Sequence, residues 1–219
     1  MANEDNQSAA EAVAQIAQDI SGCTLCVLHE NRTQTVPGAG SPTAKIMFIG
    51  EAPGQVEDEE GIPFVGRSGQ YLNYLLNLIE LDRQDVFITN TVKCRPPGNR
   101  DPKTDELASC KPYLDRQIET IDPSVIVLVG RFAMERYFPK GKITKIHGQP
   151  KYEGGYAYYP IFHPAAALRN PRLRHDMEED FKRLLEVIAE VKRRRESGDF
   201  EATAADDAND DPPEQLTLL

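Results

Sequence analysis

The four cysteines of this sequence are its clearest candidates for metal chemistry. Cys23 and Cys26 form a C-x2-C pair, whereas Cys94 and Cys110 occur much later in the chain. Four thiolates can hold one zinc ion or one iron–sulfur cluster, and spacing alone does not distinguish the two. The alternative is two buried free cysteines, which are common in proteins, beside a chance C-x2-C pair. A metal group here would join the N-terminal segment to the rest of the protein, a structural role that does not require redox chemistry.

Further residues with chemical potential occur in three loops of distinctive sequence. These loops are GEAPG at 50–54, NTVKCRPPGNR at 90–100 and HPAAALRNP at 163–171. Between them they supply one carboxylate, several amides and basic side chains and one histidine, which are groups suited to polar recognition and to acid–base chemistry.

A regular alternation of strands and helices must position these loops. Short apolar runs predict four buried strands, at residues 45–50, 86–90, 125–129 and 157–162. Helical patterns occur at 9–20, 68–80, 104–121, 131–137 and 176–195, with Thr104 as a candidate N-cap. This order indicates an α/β fold with a parallel sheet flanked by helices. Because parallel sheets bind ligands at the carboxyl ends of their strands, we expect the three loops to form one composite site.

The net charge of −10 is distributed unevenly along the chain. Residues 1–22 contain four acidic residues, residues 197–219 contain seven, and neither segment contains Lys or Arg. The stretch 23–196 therefore has a net charge of +1, and its local basic clusters are compatible with phosphate contacts. For any single cluster, a solvated surface is the more common explanation. The clusters are Lys93, Arg95, Arg100 and Lys103; Lys140, Lys142, Lys145 and Lys151; and Arg169, Arg172 and Arg174.

The same boundaries suggest how the chain is organised. We expect an acidic helical arm at 1–22, one domain at 23–196 and a disordered acidic tail at 197–219, where the composition cannot bury enough apolar surface to fold. No apolar run approaches the roughly 18–20 residues that span a bilayer, and the N-terminus lacks signal-peptide features. We therefore expect a cytoplasmic monomer without membrane contact, nucleoid-associated in a prokaryote, and no disulfide framework.

Three long motifs together resemble the family 4 uracil-DNA glycosylases. They are GEAPGQVEDEEGIPFVGRSGQYL at 50–72, TNTVKCRPPGNRDP at 89–102 and HPAAALRNP at 163–171, in an order that is consistent over about residues 16–190. The resemblance implies a three-layer α/β/α sandwich around a four-stranded parallel sheet and a [4Fe-4S] cluster on the four cysteines. It also implies that the protein hydrolyses the N-glycosidic bond of uracil in DNA, which releases free uracil and leaves an abasic site.

The resemblance also implies roles for individual residues in binding an extruded uracil. Phe64 would supply a flat apolar face for the base. Asn90 would read the O4 and N3–H edge, a pattern that cytosine reverses. Backbone N–H groups near Glu51 and Ala52 would add polar contacts. His163 would donate to O2, where negative charge develops as the glycosidic bond breaks.

The residue that positions the attacking water is less well defined by the motifs. A related family uses an Asp of the first loop, but Ala52 occupies the matching place here. Glu51, Glu57 and Asn99 are the candidates, with Glu51 placed first as a pocket residue. The resemblance alternatively gives Glu57 the steric task of excluding the C5-methyl group of thymine.

The third motif should also carry the contacts to the DNA duplex. The family commonly has a Leu four residues after the histidine, which fills the gap left by the extruded base. That place is taken here by Ala167, so Leu168 is the candidate wedge. Arg169, Arg172 and Arg174 are candidates for gripping phosphates.

Two other functions compete with a glycosylase. One is a covalent uracil-DNA binder of the same superfamily, but the segment 95–103 lacks the basic, histidine-containing insertion of such proteins. The other is an iron–sulfur protein without catalysis, serving in redox sensing or as a nucleic-acid scaffold. At the C-terminus, Gln215 and Leu218 in the segment 214–219 match part of a peptide that docks on sliding clamps. An unstructured end is the favoured alternative, since the terminal aromatic residues of that peptide are missing.

Overall fold

The computed structural model describes residues 2–200 of the 219-residue chain. The helices are α1 (Ala2–Ser21), α2 (Gln55–Glu60), α3 (Arg67–Leu78), α4 (Thr104–Ile121), α5 (Arg131–Glu135), α6 (Ile143–Ile146), α7 (Pro164–Arg169) and α8 (Leu173–Ser197). The strands are β1 (Ala39–Gly40), β2 (Ile46–Gly50), β3 (Phe87–Asn90), β4 (Val125–Val129), β5 (Lys151–Glu153) and β6 (Tyr156–Ile161). Single 3-10 turns occur at Val27–Glu30 and Pro97–Asn99.

The strands form one sheet in the order β1-β3-β2-β4-β6-β5. The four central strands are parallel, and they are the four that the apolar runs predict. The sheet nevertheless has six strands rather than four, because β1 and β5 pair antiparallel at its two edges. These edge strands are only two and three residues long, and they lack the continuous apolar run that marks a buried strand. The α/β prediction is confirmed with this correction.

Alternating side chains of the central strands pack into two separate apolar layers. On β2, Phe48 faces the layer formed with α3 and α8, whereas Met47 and Ile49 face the layer formed with α4 and α5. Both layers are closed to solvent, which explains why all five residues of β2 and of β4 are buried. The result is a sheet between two helical layers, in which the carboxyl ends of the four parallel strands lie along one edge.

The predicted helices are present, with small differences in their bounds. Helix α4 covers 104–121 as predicted, but Thr104 is its first helical residue and Lys103 is the cap. The Lys103 backbone N–H is bound by the Glu106 carboxylate at 2.8 Å. No helix in the described residues is both long and apolar enough to cross a membrane.

The ends of the described chain are both helical. Helix α1 packs against α4, where it buries Ile16 and Ile20 and where Arg116 binds Asp19 at 2.7 Å. Helix α8 continues to Ser197 and is capped by Gly198 in the left-handed conformation. The acidic tail beyond residue 200, with the clamp-like segment 214–219, lies outside the described residues.

Candidate active site

A cavity of about 590 Å³ opens at the carboxyl edge of the parallel sheet. The loops after β2, β3 and β6 all contribute to its walls, as the position of the three motifs predicts. Eight of the predicted site residues line it, namely Glu51, Ala52, Glu57, Phe64, Asn90, Asn99, His163 and Arg169. Side chains that are far apart in the sequence therefore meet in one hollow.

Phe64 is buried at the cavity wall and has an unusual backbone conformation. Its φ is 52°, in the left-handed region that residues other than glycine seldom adopt. The ring lies 5.7 Å from the ring of His163, centroid to centroid, and the two planes are inclined by 30°. Helix α3 approaches the Phe64 carbonyl so closely at Gly69 that a Cβ atom there would overlap it. Packing therefore fixes the aromatic plate against the histidine.

Asn90 is the last residue of β3, and its side chain is 1% exposed. Its Oδ1 atom is buried and has no hydrogen-bond partner among the described residues. A buried carbonyl oxygen without a donor costs free energy, so such atoms are uncommon outside ligand sites. In the cavity wall, this oxygen is a ready acceptor for a donor on a bound ligand.

His163 follows β6 and caps the N-terminus of α7. Its Nδ1 accepts a hydrogen bond from the backbone N–H of Ala165 at 3.1 Å. Burial, reinforced by the positive charge of Arg169, lowers the pKa of His163 to about 4. The imidazole is therefore neutral at physiological pH, and because Nδ1 is an acceptor, its proton is on Nε2.

The two acidic residues of the first motif have different surroundings. Glu57 accepts three backbone hydrogen bonds, from Gly54 at 3.1 Å, Val65 at 3.0 Å and Gly66 at 2.8 Å, and so braces the loops around the cavity. The Glu51 carboxylate has no such partners among the described residues. Burial, with a smaller contribution from nearby Asp101, raises the pKa of Glu51 above its ordinary value.

Asn99 lies at the exposed rim of the cavity in a left-handed turn with a φ of 55°. Its Oδ1 accepts a hydrogen bond from Arg95 Nε at 2.7 Å. Next to it, Arg100 binds the fully buried Glu106 through two hydrogen bonds of 2.8 and 2.6 Å. The rim is therefore a braced loop, in which part of the hydrogen-bonding capacity of Asn99 is already in use.

The predicted DNA contacts are only partly at the cavity. Arg169 lines it, whereas Leu168, half-buried on α7, and Arg172, exposed just before α8, do not. Ala167, in the place of the family's wedge leucine, is fully buried in the core and cannot reach a duplex. The DNA-binding roles of Leu168 and Arg172 remain predictions.

The four cysteines line a second cavity, together with residues of α1, of α4 and of the segment after β3. Cys23, Cys26, Cys94 and Cys110 all contribute to its wall, and all four are free thiols. Arg32 Nη1 donates to Cys94 Sγ at 3.1 Å, and the backbone N–H of Lys93 lies 3.4 Å from Cys110 Sγ. No group of three or more His, Cys, Asp and Glu side chains within residues 2–200 is arranged for a single metal ion. The fit of this cavity to a metal group thus depends on the number and type of its donors.

Lys93 is buried at the wall of the cysteine cavity, and no feature of the sequence indicated this. It belongs to a basic cluster for which a solvated surface was the favoured explanation, but it is 1% exposed. Its Nζ donates to Thr89 Oγ1 at 2.6 Å, Gln117 Oε1 at 2.7 Å and the carbonyl of Asn90 at 2.8 Å. Burial lowers its pKa to about 7. Lys93 therefore supports the end of β3 from within and is unavailable to DNA.

Several other residues of the cavity wall were not predicted as site residues. Arg67 and Ser68 begin α3 inside the first motif, and Asp101 is the second-last residue of the second motif, so their positions in the motifs were the available signal. Arg83 does not line the cavity but binds the loop that carries Phe64, and it was missed because it lies in a short loop between α3 and β3 with no motif around it.

Comparison with known proteins identifies the family of the chain. The family model for the uracil DNA glycosylase superfamily matches residues 37–189. A type-4 uracil-DNA glycosylase of Sulfurisphaera tokodaii is 47% identical over 193 residues, which cover 84% of this chain and 88% of that protein. One of Saccharolobus solfataricus is 47% identical over 184 residues, covering 80% and 85% of the two chains. One of Archaeoglobus fulgidus is 44% identical over 189 residues, covering 81% and 94%.

The fold and the cavity define an α/β protein that binds its ligand at the carboxyl edge of a parallel sheet. The comparisons give the family more narrowly. The chain belongs to the uracil DNA glycosylase superfamily and, within it, to the type-4 uracil-DNA glycosylases.

Proposed function

We propose that this protein is a DNA-repair enzyme that removes uracil from DNA by hydrolysing its N-glycosidic bond. The observation that carries the proposal is the convergence of Phe64, Asn90 and His163 on one cavity. An aromatic face, an amide and a neutral imidazole are the groups needed to hold a uracil base and stabilise it as a leaving group. The uracil base must be extruded from the duplex, since a base stacked inside the helix cannot enter the cavity.

Base selection is assigned to Asn90. Its unpartnered Oδ1 would accept the N3–H of uracil, and its Nδ2 would donate to O4. Cytosine presents an acceptor at N3 and an amino group at C4, so the same amide would face two mismatched groups. Burial of Asn90 supports this assignment, because a mismatched polar group beside a buried amide stays unpaired and is costly.

Departure of the base is assigned to His163. As the bond from N1 to the sugar breaks, its electron pair stays with uracil and negative charge develops on O2. The Nε2–H of neutral His163 would donate to that oxygen, and the depressed pKa supports a neutral donor over an imidazolium. No proton needs to be transferred for this stabilisation.

Attack by water on the oxocarbenium-like sugar completes the reaction. Glu51 is the preferred acceptor for the water, because its carboxylate is free of hydrogen-bond partners within the described residues and lines the cavity. Glu57 is less suited to this role, since three backbone N–H groups hold its carboxylate. We assign Glu57 the exclusion of the thymine methyl group, and Asn99 a contact at the rim to water or phosphate.

Contacts with uracil-containing DNA, double- or single-stranded, are assigned to the mouth of the cavity. Arg169 and Arg172 would bind phosphates, and Leu168 would fill the gap left by the extruded base. We further propose a cytoplasmic monomer with one glycosylase domain at 23–196, an acidic arm at 1–22 and an acidic tail at 197–219. Docking of 214–219 on a sliding clamp remains a secondary proposal.

The cysteine cavity is proposed to hold a [4Fe-4S] cluster through Cys23, Cys26, Cys94 and Cys110. Four unpaired thiols in one cavity match the donor set of such a cluster, and the two N–H groups near the sulfurs suit thiolate ligands. When bound, the cluster would cross-link the segment before β1 to β3 and α4.

Excision from a uracil-containing duplex tests the proposed function. We expect abasic sites and free uracil to form over many turnovers, and no product from the same duplex with thymine or cytosine in place of uracil. A stable protein–DNA crosslink instead of turnover would support the covalent binder. Neither product nor crosslink would support a non-catalytic iron–sulfur protein.

A further inference from the structure

Two charged residues, neither of which is assigned a part in breaking the glycosidic bond, bind the backbone of the loop that carries Phe64 from two sides. On one side, Glu57 accepts the backbone N–H groups of Val65 and Gly66. On the other side, the Arg83 guanidinium donates to the carbonyl of Pro63 at 2.6 Å and to that of Phe64 at 2.9 Å. The peptide group before Phe64 is therefore bound by Arg83, and the one after it is bound at its carbonyl by Arg83 and at its N–H by Glu57.

The relative direction of the two carbonyls bound by Arg83 depends on the backbone conformation of Phe64. They belong to the peptide groups on either side of this residue, so its φ and ψ set their relative direction. In an extended residue successive carbonyls point to opposite sides, whereas in a helical conformation, right- or left-handed, they point the same way. One planar guanidinium can serve both carbonyls only in the second case. The hydrogen bonds of Arg83 thus favour the left-handed φ of 52° over an extended alternative.

Arg83 is itself held in place. Its Nη1 also donates to Asn73 Oδ1 on α3 at 3.2 Å, and the side chain is half-buried in the loop before β3. It does not line the active-site cavity, so it has no direct access to a bound base or to the sugar. Any effect on uracil excision must therefore pass through the loop it binds.

We propose that Arg83 is a positioning residue for uracil excision, which holds Phe64 in its left-handed conformation so that the ring stays beside His163 and ready to stack on the base. This rests on the proposed function. A lysine could not replace it fully, because an ammonium is a point donor without the planar fork that spans two carbonyls. Glu57 binds the same loop from its amide side, and this contact accounts for the position of its half-buried carboxylate.

The test compares R83K, R83M and the matched control R195M. Arg195 is also half-buried and also donates to two backbone carbonyls, of Gly155 at 2.8 Å and Pro123 at 3.1 Å, but far from the cavity. We expect R83M to lower kcat/KM for a uracil-containing duplex by about ten- to a hundredfold, as a misplaced binding group does. The inhibition constant of free uracil should rise in parallel, R83K should be intermediate, and R195M should be unchanged.

Two further measurements separate positioning from a loss of folding or of function. In an F64A background, R83M should cost less than about twofold, since an absent ring cannot be displaced. In NMR spectra, a nuclear Overhauser contact between the Phe64 and His163 rings should be present in wild type and R195M and lost in R83M. Persistence of that contact in R83M, or an undiminished effect of R83M in the F64A background, would overturn the proposal. Wild-type protein without uracil excision would refute the proposed function, and the ring contact would still decide the role of Arg83.

Discussion

Gly50 and Asn90 lie side by side at the ends of β2 and β3, with no room for a side chain between them. The two residues are paired in the parallel register of these strands. A Cβ atom on Gly50 would overlap Asn90 Oδ1 and would approach the Phe64 ring to 2.6 Å. The glycine of the first motif is therefore what allows the amide and the aromatic ring to share one wall of the cavity.

The first prediction concerns this close approach. Gly50→Ala should displace Asn90 or Phe64, reduce uracil excision by at least about a hundredfold and destabilise the fold by about 1–3 kcal/mol through overpacking. Gly22→Ala is the control, because no atom lies within 4 Å of its added Cβ. Excision kinetics and thermal denaturation measure both effects. An active Gly50→Ala enzyme would contradict the arrangement described here.

The second prediction concerns the amide of Asn90. Asn90→Asp replaces a donor with an acceptor opposite uracil O4, so excision of uracil should fall by about a hundredfold or more. Asn99→Asp makes the same chemical change at the exposed rim and should cost less than about tenfold. Single-turnover rates on one duplex compare the two variants. Equal losses would remove the assignment of base reading to Asn90.

The third prediction concerns the protonation state of His163. Long-range ¹H–¹⁵N spectra should show an Nε2–H tautomer that resists protonation down to about pH 4. An unfolded histidine titrates near 6.5, so the stability that His163 contributes is complete above that pH and decreases as the pH falls toward 4. His163→Ala should slow excision by about 10²–10³-fold without abolishing DNA binding. Titration of His163 near 6.5 would contradict the proposal that His163 acts as a neutral hydrogen-bond donor.

The fourth prediction concerns Glu51 as the acceptor for water. Its carboxylate must be ionised to act, and its pKa is raised by burial. The excision rate should therefore increase with pH through a transition above that of an ordinary carboxyl group. Glu51→Gln should lower kcat by about a hundredfold, leave the affinity for uracil-DNA nearly unchanged and remove this transition. A pH–rate profile that is identical in both proteins would point to another residue.

The fifth prediction concerns the cysteine cavity. Protein purified without air should contain about four iron and four inorganic sulfide per chain, as expected for a [4Fe-4S] cluster. Cys94→Ser should lose this content and lower the melting temperature, whereas Ser109→Ala, next to Cys110, should retain both. Zinc in place of iron, or folded protein that contains no metal, would contradict the cluster assignment.

The sequence predicted the buried centre of the fold well. The strand at 125–129 and the helix at 104–121 have the predicted bounds. Burial imposes a characteristic spacing of apolar residues in each kind of element, and this spacing is visible in the sequence. The edge strands β1 and β5 were missed, since their pairing with β3 and β6 depends on neighbours and not on an apolar run of their own.

The site was predictable where motifs marked it and not where contacts come from unrelated segments. Phe64, Asn90 and His163 lie in motifs, and they meet as expected. Lys93 was wrongly expected at the surface, because a lysine is usually exposed and its buried partner Gln117 lies 24 residues away. Arg83 left no local signal either, since the two carbonyls it binds are 19 and 20 residues earlier in the chain.

The cavity of the four cysteines also constrains the order of assembly. Cys23 and Cys26 precede the sheet, whereas Cys94 follows β3 and Cys110 lies inside α4, so about seventy residues must be looped together before the thiols meet. The 3-10 turn at Val27–Glu30 buries Leu28 against Val92 and brings the N-terminal pair to the others. The four thiols therefore form one complete donor set only when the first thirty residues are docked on the rest of the domain, so this docking and the binding of a metal group are thermodynamically linked.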